Sequence, residues 1–244
     1  MVTTAPSARR SANEALTAVL LTLAALVGIA LAAQRTLDLS PRFTLAAPLL
    51  FAGGGAALVL LAARHLPASF GPANRVTLSR AALTALVFGL LGETPSPGAA
   101  WFATAVAGLA LALDGLDGRL ARGRGVASPF GARFDMETDA LLILGLAALA
   151  WRFDKAGPWI LLAGLLRYAF VAAGAVWPWM RRPLPPSRRR QAVCVVQIAT
   201  LILCLVPLSA QPWSAYLAFA GLAALTASFA ADVAWLARRR GTAP

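Results

Sequence analysis

Residues 98–152 read GAAWFATAVAGLALALDGLDGRLARGRGVASPFGARFDMETDALLILGLAALAWR. Two apolar runs, 98–118 and 135–152, flank a polar stretch. In and around that stretch lie Asp114, Asp117, Asp135, Glu137 and Asp139, five of the ten acidic residues in a chain of 244. Both runs are continuous and rich in Leu and Ala, whereas a barrel strand would alternate in segments of about ten residues. The pair therefore predicts two membrane helices joined by a short bend. A bilayer core takes about 20 apolar residues per helix, and similar runs recur at 14–33, 44–64, 76–92, 157–178, 190–209 and 213–236. The expected fold is all-α, a polytopic helical bundle with about eight transmembrane helices.

Composition agrees. The chain is 59% hydrophobic and only 13% charged, with a mean hydropathy of +0.71, outside the mix of a soluble globular domain. The first run follows Arg9 and Arg10 and ends near ALAAQ, which resembles a signal peptide. Its apolar core exceeds the roughly 7–15 residues typical of one, so a retained helix is expected. Lys and Arg gather on cytoplasmic loops. With eight helices and a cytoplasmic N-terminus, one side collects Arg9, Arg10, Arg64, Arg75, Arg80, Arg119, Arg122, Arg124, Arg133 and the arginines at 181, 182, 188–190 and 238–240. The other side holds Arg35, Arg42, Arg152 and Lys155, and Arg167 lies within a run. This bias places both termini and the aspartate stretch on the cytoplasmic side. The net charge of +12 sits at helix ends rather than along one soluble face, which favours membrane lipids over nucleic acid as partner. Cys194 and Cys204 lack metal-ligand spacing and are expected to pack as small hydrophobes.

Asp114 and Asp117 are at i and i+3 near the end of one run, and Asp135 and Asp139 at i and i+4 near the start of the next. Each pair shares a helix face, so a tight hairpin lets all four converge. Close carboxylates in a low-dielectric setting take up protons or hold cations. Hard oxygen ligands with no His or Cys beside them favour Mg²⁺ or Mn²⁺ over zinc, and four carboxylates suit two such ions. A purely structural reading has the acids cap helices or pair with Arg119, Arg122, Arg124 and Arg133. It accommodates Asp135 and Asp139, expected in a first turn where acids are favoured, but not Asp114 and Asp117 at a helix end. Gly115, Gly118, Ala121, Gly123, Gly125 and Gly131 thin the walls, as a bulky ligand requires.

The spacing Asp114, Asp117-Gly118, Ala121-Arg122, Gly131, Asp135, Asp139 resembles the signature of the CDP-alcohol phosphotransferases, membrane enzymes of phospholipid synthesis, with every gap intact. The resemblance implies transfer of a phosphatidyl group from CDP-diacylglycerol to a small alcohol acceptor, with release of CMP. It makes Asp114, Asp117, Asp135 and Asp139 ligands of two divalent ions, with Asp139 also the catalytic base. It assigns Gly118, Ala121, Arg122, Ser128 and Gly131 to the CDP donor, joined by Asn74 and Thr77 of NRVTLSR, a stretch that through Asn74, Thr77 and Arg80 resembles the family's entry into its first core helix. It further implies a six-helix catalytic core over 67–244, with 1–66 an added tail and two helices joined by the linker ARHLPASFGPAN. A homodimer in the inner or plasma membrane of a bacterium is the expected context.

Arg167 in mid-run is costly enough to suggest function. With Arg188, Arg189 and Arg190 it suits a phosphorylated acceptor such as glycerol 3-phosphate, although anchoring to anionic lipid would use the exposed ones equally. Gln191 or Gln197 after basic residues resembles the phosphatidylglycerophosphate synthase group, while PPSRRRQ departs from its Gly and Lys pattern. Inositol phosphate, serine and choline are the alternative acceptors. A prenyltransferase would need a second aspartate motif in another repeat. An ion-coupled transporter would need acids near the midplane and broken helices in repeated halves.

Overall fold

The computed structural model describes the backbone at residues 5–62, 70–124 and 129–240, and side chains at 11–59, 70–115 and 129–240. Eight α-helices follow one another among these residues: α1 (Ala5–Leu37), α2 (Pro41–Ala62), α3 (Pro72–Gly89), α4 (Pro97–Arg124), α5 (Pro129–Arg152), α6 (Leu162–Val176), α7 (Arg188–Leu205) and α8 (Trp213–Arg238). No strand occurs among the described residues, so the all-α expectation holds.

Proline writes many of the helix starts. The helices α2, α3, α4 and α5 all begin on Pro, where the missing N–H is one the helix could not have used and φ is already set. Two ends are written by aspartate. Asp38 and Asp154 have φ of 51° and 55°. The amide of the residue after each then reaches back five positions, Leu39 N to Gln34 O at 3.2 Å and Lys155 N to Ala150 O at 2.8 Å. This is the left-handed closure in which glycine is usual and a short polar side chain is tolerated.

Among the described residues six segments are long and apolar enough to cross a membrane: Ser11–Leu37, Pro41–Val59, Pro72–Gly92, Pro97–Gly115, Pro158–Val176 and Trp213–Arg238. Large side chains along them, including Leu20, Leu21, Leu45, Leu49, Tyr216 and Phe219, are exposed, as lipid contact allows and water would penalise. In α5 and α7, charged residues at the N-terminal end shorten the apolar part to 140–151 and 191–205.

The two central helices differ from the expected runs. The helix α4 continues to Arg124 and α5 starts at Pro129, beyond the apolar limits of 118 and 135. Asp114 and Asp117 therefore do not close α4, and α5 has no acid in its first turn, so the dipole no longer explains Asp135 and Asp139. Hydropathy marks where oil ends, but backbone hydrogen bonding carries on through good helix formers such as Leu120, Ala121 and Arg122. The end of the linker is likewise helical from Pro72. His65 and the rest of residues 63–69 lie outside the described residues.

Two compact units are distinguishable, Met1–Asp139 and Ala140–Pro244. In the first, α1 and α2 pack together and along α3, and α3 packs on α4. The α3 segment is the most enclosed of the six, with 61% of its apolar window buried against 22–33% elsewhere. Gly89 lets α2 approach α3, since a Cβ there would meet Ala47 Cβ and the Phe43 ring at 3.1 Å, the close backbone contact that small residues permit between membrane helices. Phe43 also meets Phe102 of α4 edge to face at 6.0 Å. Two carboxylates tie the N-terminal pair down. Ser40 donates its amide and hydroxyl to Glu93 at 2.8 and 2.6 Å, and the Phe70 amide donates to Glu14 at 3.2 Å.

In the second unit α7 and α8 pack side by side and α6 lies on α8, with Phe170 and Phe229 5.8 Å apart. Lys155 Nζ donates to the carbonyls of Val206, at 3.4 Å, and of Ser209 past the end of α7, where a cation suits the helix dipole. Gly164 of α6 presses on α5: a Cβ there would lie 2.5 Å from Leu144 Cα, backbone that has no rotamer to yield. Gly164→Ala is therefore expected to lower stability by about 1–3 kcal/mol. The check is thermal unfolding of the detergent-solubilised protein, and an unchanged midpoint would contradict the packing.

Candidate active site

Three helices deliver the site, each through residues of the first unit. Asp114 comes from α4, and Asp135 and Asp139 stand one turn apart on α5. One carboxylate oxygen from each can be chosen so that all three lie within 4.8 Å of one another. The sequence expectation that these acids converge is met for these three. Asp117 follows Asp114 by one turn of α4, but its side chain lies outside the described residues, as do those of Gly118, Ala121 and Arg122. Ser128 falls outside them entirely. Gly131 is in the first turn of α5. Asn74 and Thr77 are buried on α3, and the Thr77 hydroxyl donates to the Ala73 carbonyl at 3.2 Å.

The partner of the three carboxylates was not foreseen. Arg80 of α3 is fully buried, and its guanidinium reaches all of them. Its Nη1 lies 2.9 Å from Asp114 Oδ1 and also bonds Asp135 Oδ1, while Nη2 bonds Asp139 Oδ1. Among the described residues its buried Nε has no hydrogen-bond partner. The aspartate side chains are 18–40% exposed against 1% for Arg80, so the cation lies beneath and the acids line the open side. A fork of planar donors suits several carboxylates at once. Counting formal charges, three acids and one arginine leave two negative charges, the complement of one divalent ion.

This donor set is all oxygen, which fits Mg²⁺ or Mn²⁺ and not a softer metal. There is also room beside it: a Cβ on Gly115 would meet nothing within 4 Å, in keeping with the expectation that small residues leave space near the acids.

A family comparison fits the same residues. The CDP-alcohol phosphatidyltransferase family model matches residues 70–230. The chain belongs to that family. No curated protein and no solved structure matches it. As a CDP-alcohol phosphatidyltransferase it is a membrane transferase of phospholipid synthesis, moving a phosphate-containing group from a CDP-alcohol to an acceptor alcohol. The family uses divalent cations, and Asp114, Asp135 and Asp139 form a group able to hold one. The match opens just before α3, so α1 and α2 lie outside it.

The acceptor candidates of this transferase belong to the second unit. Arg167 is half-buried on α6, and Arg188, Arg189 and Arg190 open α7. Arg189 and Arg190 share one acid, Asp232 of α8. Arg189 Nη2 pairs with it, and Arg190 Nη1 lies 3.2 Å from the same oxygen. Arg189 Nη1 also donates to the Ser228 carbonyl and hydroxyl at 2.6 and 3.0 Å. Asp232 is buried, and sequence reading passed over it because it sits alone in an apolar helix. Its isolation there was the available signal, since a buried carboxylate needs a cation. Asp232→Asn is expected to cost about 1–3 kcal/mol by leaving both arginines without their counter-ion. Thermal unfolding measures it, and a variant as stable as the parent would contradict the pairing.

Proposed function

We propose that the enzyme transfers a phosphatidyl group from CDP-diacylglycerol to the hydroxyl of a small phosphorylated polyol such as glycerol 3-phosphate, releasing CMP. The observation that carries this reading is the convergence of Asp114, Asp135 and Asp139, held at the family spacing on two adjoining helices. Asp114, Asp117, Asp135 and Asp139 would hold two Mg²⁺ or Mn²⁺ ions, whose charge would neutralise the diphosphate and the departing CMP. Asp139 takes the proton of the acceptor hydroxyl. The acceptor oxygen bonds to the lipid-side phosphorus as the bond from that phosphorus to the CMP oxygen breaks in line.

Gly118, Ala121, Arg122, Ser128, Gly131, Asn74 and Thr77 would contact the CDP part. Arg122 supplies a fork suited to phosphate, and the small residues make room for the nucleotide. Arg167, Arg188, Arg189 and Arg190 would receive the acceptor's phosphate. Arg189 and Arg190 carry two positive charges against the single one of Asp232, which supports that role because a net positive charge is left over for an anion. Inositol phosphate, serine and choline are the competing acceptors. The start of the family match at residue 70 supports a core over 67–244 with 1–66 as an addition. The arginine bias supports a site and both termini facing the cytoplasm, in the inner or plasma membrane of a bacterium, with anionic lipid around the exposed arginines. A homodimer is the proposed assembly.

Purified protein incubated with CDP-diacylglycerol, Mg²⁺ and each acceptor in turn should release CMP with glycerol 3-phosphate, give a product of the matching mass, and stop in EDTA. Asp139→Asn should still bind CDP-diacylglycerol while its CMP release falls by about 100-fold or more. Absence of CMP with every acceptor would end the proposal, and undiminished release by the variant would end the assignment of the base.

A further inference from the structure

Arg80 poses an electrostatic problem that the reaction does not answer. A guanidinium fully removed from solvent carries a large desolvation cost unless carboxylates surround it, and here three do so. Those three are also the acids whose oxygens lie within 4.8 Å of one another and could grip a metal ion. Without a cation among them they would repel, and α4 and α5 would be pushed apart at this point.

A divalent ion of the Mg²⁺ type binds carboxylate oxygens at about 2.0–2.1 Å. The guanidinium nitrogens are already at hydrogen-bond distance from one oxygen of each acid. Two cations drawing on the same oxygens would stand within a few ångströms of each other in a poorly solvated place, where like charges repel strongly. They therefore compete.

We propose that Arg80 is the internal counter-cation of the site. Its guanidinium holds Asp114, Asp135 and Asp139 together when no divalent ion is bound, and a divalent ion must compete with it for their oxygens. Arg80 is thus a positioning residue that keeps the acids assembled in the metal-free protein, at the expense of metal affinity. The proposal rests on the reading that these acids hold metal.

The test compares the full-length parent with Arg80→Gln, Arg80→Lys and Asp135→Asn in detergent micelles. Mn²⁺ binding is followed by the electron paramagnetic resonance of the free ion, and thermal unfolding is recorded in EDTA and in saturating Mn²⁺. Arg80→Gln is expected to bind Mn²⁺ about tenfold more tightly than the parent. It should unfold at a lower temperature in EDTA and recover most of that loss in Mn²⁺. Arg80→Lys, which keeps the charge and loses the fork, should fall between the two. If Arg80→Gln cannot be recovered folded, Arg80→Lys carries the test with an affinity gain of about two- to fivefold. A folded variant that binds Mn²⁺ no more tightly than the parent overturns the role of Arg80 while leaving the metal site standing. If the parent shows no Mn²⁺ binding that Asp135→Asn removes, the metal reading and this proposal fall together.

Discussion

A charge placed in an apolar bundle must be answered where it stands, and in this protein the buried guanidinium of Arg80 is answered by three carboxylates. That single requirement links α3, α4 and α5. It gives the acids of two helices a common focus, with the cation beneath them and their open side left uncovered by it. Nothing in the packing of Leu and Ala would choose this arrangement, because apolar contacts are non-directional. Ion pairs in a poorly solvated place are directional and costly to break, so they fix the register of helices that oil alone would leave free to slide.

The same logic repeats on a smaller scale. Asp232 answers Arg189 and Arg190 within the second unit, and Lys155 answers the carbonyls beyond the end of α7. Glu93 and Glu14 tie the two N-terminal helices to the ends of the segment that carries Arg80. With so few charged residues in the chain, those whose partners are described do specific structural work. The helix pair outside the family match is therefore fastened by polar contacts as well as by the close approach of Phe43 and Ala47 to Gly89. It packs along α3, the helix on which Arg80 stands.

Much of the site was legible because its signal is local. Asp135 and Asp139 share a face by helical geometry alone, and the fixed gaps from Asp114 to Asp139 point to hard-cation chemistry with no knowledge of the neighbours. Arg80 was read only as part of a motif at the start of a helix, and grouped with the basic residues at helix ends. Its partners lie 34 to 59 positions further along the chain, beyond any periodicity. The extents of α4 and α5 were misjudged for a different reason. Apolar runs report the boundary of the oil, whereas a helix persists as long as its backbone bonds can form. The acids thus lie inside helices, which holds them more rigidly than a position at a frayed end would.

By itself the sequence determined the helical membrane class and the acidic motif, since each follows from composition or from spacing within one turn or one short bend. Tertiary structure alone decided which cation faces the acids, which acid holds the arginine pair of α7, and where α1 and α2 are fastened. Those are pairings between distant segments, selected by the cost of leaving a charge uncompensated away from water, and that cost is known only once the helices are packed.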